Sequence, residues 1–197
     1  MSFSPDGKRL AYEQRSADGH LEIWTAPVEG NDDRGASQVR LGEAKPFLRT
    51  AFDESYPAFS PDGPWLAYQS NETGTYEVYV RRFPGPGRKL PISTGGGRFP
   101  VWLRNSRELF FLGMDGYIRV VSYTAKDDSF TFGKPRMWSS KSLLVRFGVC
   151  PYDLARDGKR FAVVLYPDGS AQKPITSVAV LLNFFDELKR RVPVGGK

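Results

Sequence analysis

Histidine and cysteine are almost missing from this chain, with one of each among 197 residues. A lone cysteine, Cys150, excludes an internal disulfide framework and a cysteine-built zinc site. It stands between Val149 and Pro151 in an apolar stretch, the setting of a small buried hydrophobe rather than a reactive thiol. The lone histidine, His20, follows the turn residues Asp18-Gly19 and supports no Ser/His/Asp triad. No Gly-x-Ser-x-Gly nucleophile elbow occurs, and no glycine-rich loop with its strand lysine or catalytic-loop and metal-binding aspartate signature of a kinase. Long hydrophobic runs are absent as well. Val178–Leu182 falls far short of the roughly 18 apolar residues a membrane helix needs, so neither a membrane span nor a signal peptide is expected here.

Two further classes fall away on spacing. Asp53-Glu54 and Asp127-Asp128 lack the alternating oxygen ligands of a calcium loop, so no metal and no cofactor is expected. Gly95-Gly96-Gly97-Arg98 has backbone amides to offer an anion, but no Lys-Ser/Thr follows and no helix begins there, which favours a plain connecting loop. The net charge is +6, from 28 Lys and Arg against 22 Asp and Glu. The basic residues are scattered singly except for Lys189, Arg190 and Arg191, so a solvated tail is expected and no nucleic-acid partner.

What the chain has in quantity is aromatic residues, 14%, punctuated by 20 Gly and 15 Pro. That mixture favours short strands and tight turns. A repeat is plain: Phe3-Ser4-Pro5-Asp6-Gly7-Lys8-Arg9-Leu10-Ala11-Tyr12 returns as Phe59-Ser60-Pro61-Asp62-Gly63-Pro64-Trp65-Leu66-Ala67-Tyr68, identical at eight of ten positions. Weaker copies run from Leu103 to Phe111 and from Ala155 to Val163. Their turn residues Gly7, Gly63, Ser106 and Gly158 are 56, 43 and 52 residues apart, close to a propeller blade of about 40 to 50 residues.

Each copy reads as a hairpin. Pro61 presets φ at the second turn position, Asp62 takes the bridge region and Gly63 supplies the left-handed residue that closes the turn. Ser106 in place of glycine means that the third turn either differs or is strained by roughly 1 to 2 kcal/mol. A second glycine follows each copy at 12, 11, 10 and 11 residues: Gly19, Gly74, Gly116 and Gly169. After the first three come alternating strands at 21 to 24, 76 to 80 and 117 to 121. Fourth strands are expected near Lys45 to Leu48, Lys89 to Ser93 and Pro135 to Ser139, and residues 28 to 43 as a long surface loop. Ala11, Ala67 and Ala162 keep the inner strands small where blades converge, a pattern that Phe110 breaks. Trp24, Trp65, Tyr79 and Trp102 fall on strands and read as packing between blades.

The Phe-Ser-Pro-Asp-Gly copies resemble the TolB-type, WD-repeat-like propellers of bacteria. Ser70-Asn71-Glu72-Thr73-Gly74, the run Glu77 to Gly87, Ser93-Thr94-Gly95-Gly96-Gly97 and the closing Leu182 to Lys189 look like the propellers behind bacterial serine/threonine protein kinases. The resemblance covers the chain almost end to end. It implies an all-β fold of four visible four-stranded antiparallel blades, bounded at about 1–50, 51–94, 95–140 and 141–197. It also implies the C-terminal part of a larger propeller, since such propellers usually close with six or more blades. The function implied is a non-catalytic binding or sensor module of a regulatory protein, placed outside the cytoplasm in preference to inside. Its loop face would contact a protein or small ligand, and its open blade edges would allow self-association. The loops between blades place Asp53, Glu54, Tyr56, Arg98, Phe99 and Arg146 at that face. The competing expectation is the propeller part of a prolyl-oligopeptidase-type hydrolase.

Overall fold

The computed structural model describes residues 1–29, 40–85, 87–126, 128–143, 150–155, 157–158 and 160–163. The described elements are all strands. They fall into two compact units, Met1–Ser142 and Leu143–Lys197.

The first unit holds three antiparallel sheets in sequence order. The first comprises β1 (Ser2–Phe3), β2 (Arg9–Arg15), β3 (Leu21–Glu29), β4 (Arg40–Leu41) and β5 (Lys45–Leu48). The second is β6 (Glu54–Phe59), β7 (Trp65–Ser70), β8 (Glu77–Arg82) and β9 (Leu90–Pro91). The third comprises β10 (Arg98–Trp102), β11 (Glu108–Leu112), β12 (Tyr117–Lys126), β13 (Ser129–Phe132) and β14 (Arg136–Ser142). Each contains four strands paired in order, the meander of a propeller blade. In the second unit β15 (Tyr152–Leu154) and β16 (Phe161–Val163) pair antiparallel. Gly169, the Val178 to Asn183 strand and the Phe185 to Arg191 turns lie outside the described residues.

The turn chemistry works as the residues dictate. Gly7, Gly63 and Gly158 have φ of 70°, 93° and 66°. Each donates its N–H three residues back, to Ser4, Ser60 and Ala155 respectively, at 2.9 Å. Ser106 is not among the residues with positive φ. The third turn therefore differs rather than being strained: Leu103 N–H donates to the Glu108 carbonyl at 3.0 Å, and the Ser106 hydroxyl to Glu108 Oε2 at 3.1 Å.

One expectation about the loops is corrected. Residues 28 to 43 are not all loop, because Val28 pairs with Leu41 and Glu29 with Arg40. The third strand runs past the blade and begins a second hairpin. The same device recurs in the third sheet, where Tyr123 to Lys126 pair with β13 before the chain returns as β14. The second blade lacks it. This explains why the repeat spacing is shortest there: an extra hairpin lengthens the first and third blades.

Alternation along the strands divides each sheet between two seams. From the second blade Leu66, Tyr68 and Tyr79 face the first blade and pack on Ala11, Ile23 and Leu48. Trp65, Ala67, Val78 and Val80 face the other way, against Trp102, Leu109, Phe111 and Tyr123 of the third. Ala11 and Ala67 are fully buried where the sheets come closest. Each large side chain in these seams contributes roughly 1.5 to 3 kcal/mol. Trp24 is half-buried and donates its indole N–H to Glu22 Oε2 at 2.8 Å.

Candidate functional site

Successive strands run in opposite directions, so the start of β6, the end of β7 and the start of β8 share one end of the second blade. Glu54 pairs there with Ser70, and Ser70 with Glu77. The start of β10 joins them, because Gly97 N–H donates to the Tyr76 carbonyl at 2.8 Å. Four of the six expected site residues, Glu54, Tyr56, Arg98 and Phe99, lie at the starts of these strands, and Asp53 immediately precedes β6. Arg146 lies outside the described residues.

The first strands of the second and third blades carry the same irregularity. Ser55 pairs with Gln69 and Ala58 with Ala67, leaving Tyr56 and Pro57 opposite Tyr68 alone. Arg98 pairs with Leu112 and Val101 with Phe110, leaving Phe99 and Pro100 opposite Phe111. Both are β-bulges, which re-aim side chains. Tyr56 and Phe99 sit at φ 54° and 56°, and no other non-glycine residue among those described has a positive φ. That conformation costs about 1 to 2 kcal/mol for a residue with a Cβ. A repeated hydrogen bond holds it: Tyr56 N–H donates to Glu13 Oε1 at 2.6 Å, and Phe99 N–H to Gln69 Oε1 at 2.9 Å. The two rings meet edge to face with centroids 4.7 Å apart.

Asp53 joins two blades. Its Oδ1 accepts from Leu21 N–H at 2.8 Å, and its Oδ2 from Asn71 Nδ2 and the Tyr76 hydroxyl, each at 3.4 Å. Its own N–H donates to Asn71 Oδ1 at 2.9 Å. His20 Nδ1 is 3.9 Å from Oδ1. Burial, and then the Asp53 carboxylate, raise the Tyr76 hydroxyl above the usual tyrosine range, so it remains a donor at neutral pH. The Arg98 guanidinium lies over the Tyr76 ring, 4.5 Å from its centroid. Its Nε is buried and has no hydrogen-bond partner.

The glycine loop before Arg98 is structural. Gly96 N–H donates to Glu77 Oε1 at 2.7 Å, and the second carboxylate oxygen of Glu77 accepts from the Ser93 hydroxyl. With Gly97 N–H committed to Tyr76, these two amides are not offered to an anion. Glu54 and Phe99 are buried, at 2% and 1% exposure, so in this conformation they support the face and present nothing to solvent.

Glu54 is electrostatically unusual. Thr50 Oγ1 donates to its Oε1 at 2.5 Å, but Oε2 is buried without a partner. Burial raises its carboxyl above the usual glutamate range against the opposing Thr50 bond, and the nearby Glu72 and Asp53 carboxylates add to the rise. A raised folded-state value means that the native state holds this proton more tightly than the unfolded chain. Stability from this group is present at acid pH and lost as pH climbs from the ordinary glutamate range through the raised value. Glu54→Gln is expected to stabilise by about 1 kcal/mol at pH 8, and by less as pH falls towards 4. Melting curves across that range check it; a pH-independent effect would contradict the assignment.

Sequence reasoning missed Tyr76, Glu13 and Gln69 as parts of this end. A usable signal existed: Glu13 and Gln69 each follow the blade's small alanine by two residues, and Tyr56 and Phe99 each precede a proline.

These sheets, face to face with inner strands adjoining, have solved counterparts. TolB from Acinetobacter baumannii superposes with a TM-score of 0.50 over 85% of this chain and 37% of its own, at 16% identity. The fold is that of a TolB-like β-propeller. A second structural match is a protein described as "a putative 6-phosphogluconolactonase from Bacteroides uniformis", with a TM-score of 0.50, 16% identity, and coverage of 83% of this chain and 46% of that one. In sequence, 82 residues are 35% identical to "Putative tricorn protease homolog 2" of Streptomyces coelicolor, which is 39% of this chain and 7% of that protein. The chain thus spans less than half the length of each of these proteins. It matches no family model.

Proposed function

We propose that this propeller is a non-catalytic binding module that contacts a protein or small ligand at the shared end of its second and third blades. Tyr56 and Arg98 form the contact set, with Tyr76 as the platform of Arg98 and Asp53 as the brace of Tyr76. The observation that carries the reading is the Arg98 guanidinium, stacked on Tyr76 with its buried Nε unpartnered, at the end where two aromatic residues are left-handed. Backbone strain repeated at one end of adjoining strands marks a site rather than a packing accident. The TolB-like fold agrees with a module that binds rather than reacts. The module serves as the sensing part of a larger bacterial regulatory protein, such as a receptor-like serine/threonine kinase, as the quoted motifs suggest.

A second reading, the propeller part of a peptidase, draws on the 82 residues shared with the tricorn protease homologue. The DNA flanking this coding segment separates the two: an upstream kinase domain supports the first, a downstream peptidase domain the second.

The binding reading is tested by amide NMR of the labelled chain against a panel of short peptides, sugars and sugar phosphates. Shifts should gather at Asp53, Tyr56, Tyr76 and Arg98, and Arg98→Ala and Tyr56→Ala should weaken them roughly tenfold with little loss of melting temperature. Shifts clustered elsewhere would overturn the assignment. Turnover of fluorogenic peptides by the purified chain would overturn the non-catalytic part.

A further inference from the structure

Four carboxylates at this end are engaged inside the protein. Asp53 accepts from Leu21, Asn71 and Tyr76. Glu77 accepts from Ser93 and Gly96. Glu72 pairs with Lys89, and Asp115 holds both Arg119 nitrogens at 2.6 and 2.7 Å. The Arg119 bond keeps the Asp115 carboxyl down at about 2, so that pair is ionised and mutually satisfied at neutral pH. Arg98 differs: its guanidinium lies on the face of the Tyr76 ring, and its Nε has no hydrogen-bond partner. Stacking occupies the flat side of the guanidinium and its Nε is buried, so the terminal nitrogens carry the N–H pair that matches a carboxylate.

Two apolar side chains are exposed at the same end. Phe52, 42% exposed, immediately precedes Asp53, whose carboxylate receives the Tyr76 hydroxyl. Met114, 53% exposed, covers Gly96 so closely that a Cβ there would lie 2.1 Å from its Cγ, and Gly96 is two residues from Arg98. A cation at an end that also exposes two apolar side chains is complementary to an acidic residue with apolar neighbours.

We infer that Arg98 anchors the carboxylate of an Asp or Glu in an extended segment of a protein partner, with Phe52 and Met114 receiving the apolar residues beside it. This rests on the reading of the end as a binding face and names its partner class. Tyr76 orients the guanidinium, and Asp53 holds Tyr76 through its hydroxyl. The salt-sensitive Arg98 contact sets the specificity for a carboxylate, and the two apolar side chains add contact area.

The test uses the whole chain, immobilised, and two pooled pentapeptide libraries blocked at both ends, one with Glu fixed at the centre and one with Gln. Retained peptides are read by mass spectrometry, and their position by amide shifts of Gly97 and Phe99. The Glu library should be retained at least tenfold over the Gln library, with apolar residues enriched beside the centre, and the preference should collapse in 0.5 M salt. Arg98→Met, which keeps an apolar stem over Tyr76, should abolish it. Phe52→Ser and Met114→Ser remove exposed side chains, leave the fold intact, and should each reduce retention several-fold. Equal retention of both libraries, or an unchanged preference in Arg98→Met, overturns the inference. If inorganic phosphate or a sugar phosphate moves those amides and the peptides do not, the binding face stands and the acidic-peptide assignment falls. If nothing in either panel moves them, both fall.

Discussion

Replacing Trp102 with alanine is expected to destabilise the first unit by about 3 to 5 kcal/mol, the range for truncating a buried tryptophan. Trp102 is 7% exposed at the seam between the second and third blades. Its ring meets Tyr123 at 4.9 Å and Phe130 at 6.1 Å between centroids. Its indole N–H donates to the Ala58 carbonyl at 2.9 Å, across the seam. Truncation removes both kinds of contact and leaves the carbonyl of Ala58 without that donor. Trp102→Phe should cost less, because a ring still fills most of the volume and only the hydrogen bond and part of the area are lost. Urea titration followed by circular dichroism gives both values. If Trp102→Ala and Trp102→Phe cost the same, the cavity account is wrong and the hydrogen bond dominates. If Trp102→Ala costs under about 1 kcal/mol, the seam is not the core described above.

Gly96→Ala is expected to cost about 2 to 3 kcal/mol, through the backbone more than through crowding. Gly96 has φ of 105°, outside the region that a residue with a Cβ adopts without strain. The new methyl would also press on Met114 Cγ at 2.1 Å, but that side chain is 53% exposed and free to swing away. The double variant Gly96→Ala with Met114→Ala should therefore recover only a minor part of the loss, whereas full recovery would show that crowding was the cause. A second consequence is local. Since Gly96 N–H donates to buried Glu77, a shifted backbone leaves that carboxylate short of a donor. Amide hydrogen exchange should rise at Gly96 and Gly97 before it rises in β7 or β8.

How much of this was legible beforehand follows from the range of each interaction. Pro61-Asp62-Gly63 and its counterparts state their conformation within three residues, because proline and glycine restrict φ whatever lies nearby. Alternation in Glu77–Arg82 likewise declares two faces without reference to any partner strand. The extra hairpins were not readable: Gly30-Asn31 and Gly35 between Val28 and Leu41 signal turns but not strand pairing, which depends on β3 simply continuing in an extended form. The candidate end was half readable. Asp53, Tyr56 and Arg98 could be chosen as polar or aromatic residues between blades, but their individual roles could not be. Whether a carboxylate is free or engaged depends on donors far away in sequence, such as Leu21 for Asp53 or Lys89 for Glu72.

By itself the sequence determined the period, the hairpin turns, the division of each strand into two faces and, through them, the propeller meander. These are all matters of local dihedral preference and two-residue alternation, which need no knowledge of the rest of the chain. Only the tertiary structure decided that Tyr56 and Phe99 bend into left-handed conformations, that Glu54 loses its water, and that Arg98 stacks on Tyr76 with its Nε unpartnered. Those outcomes depend on contacts between blades, where desolvation and hydrogen bonding across several dozen residues of chain outweigh what any one residue prefers alone.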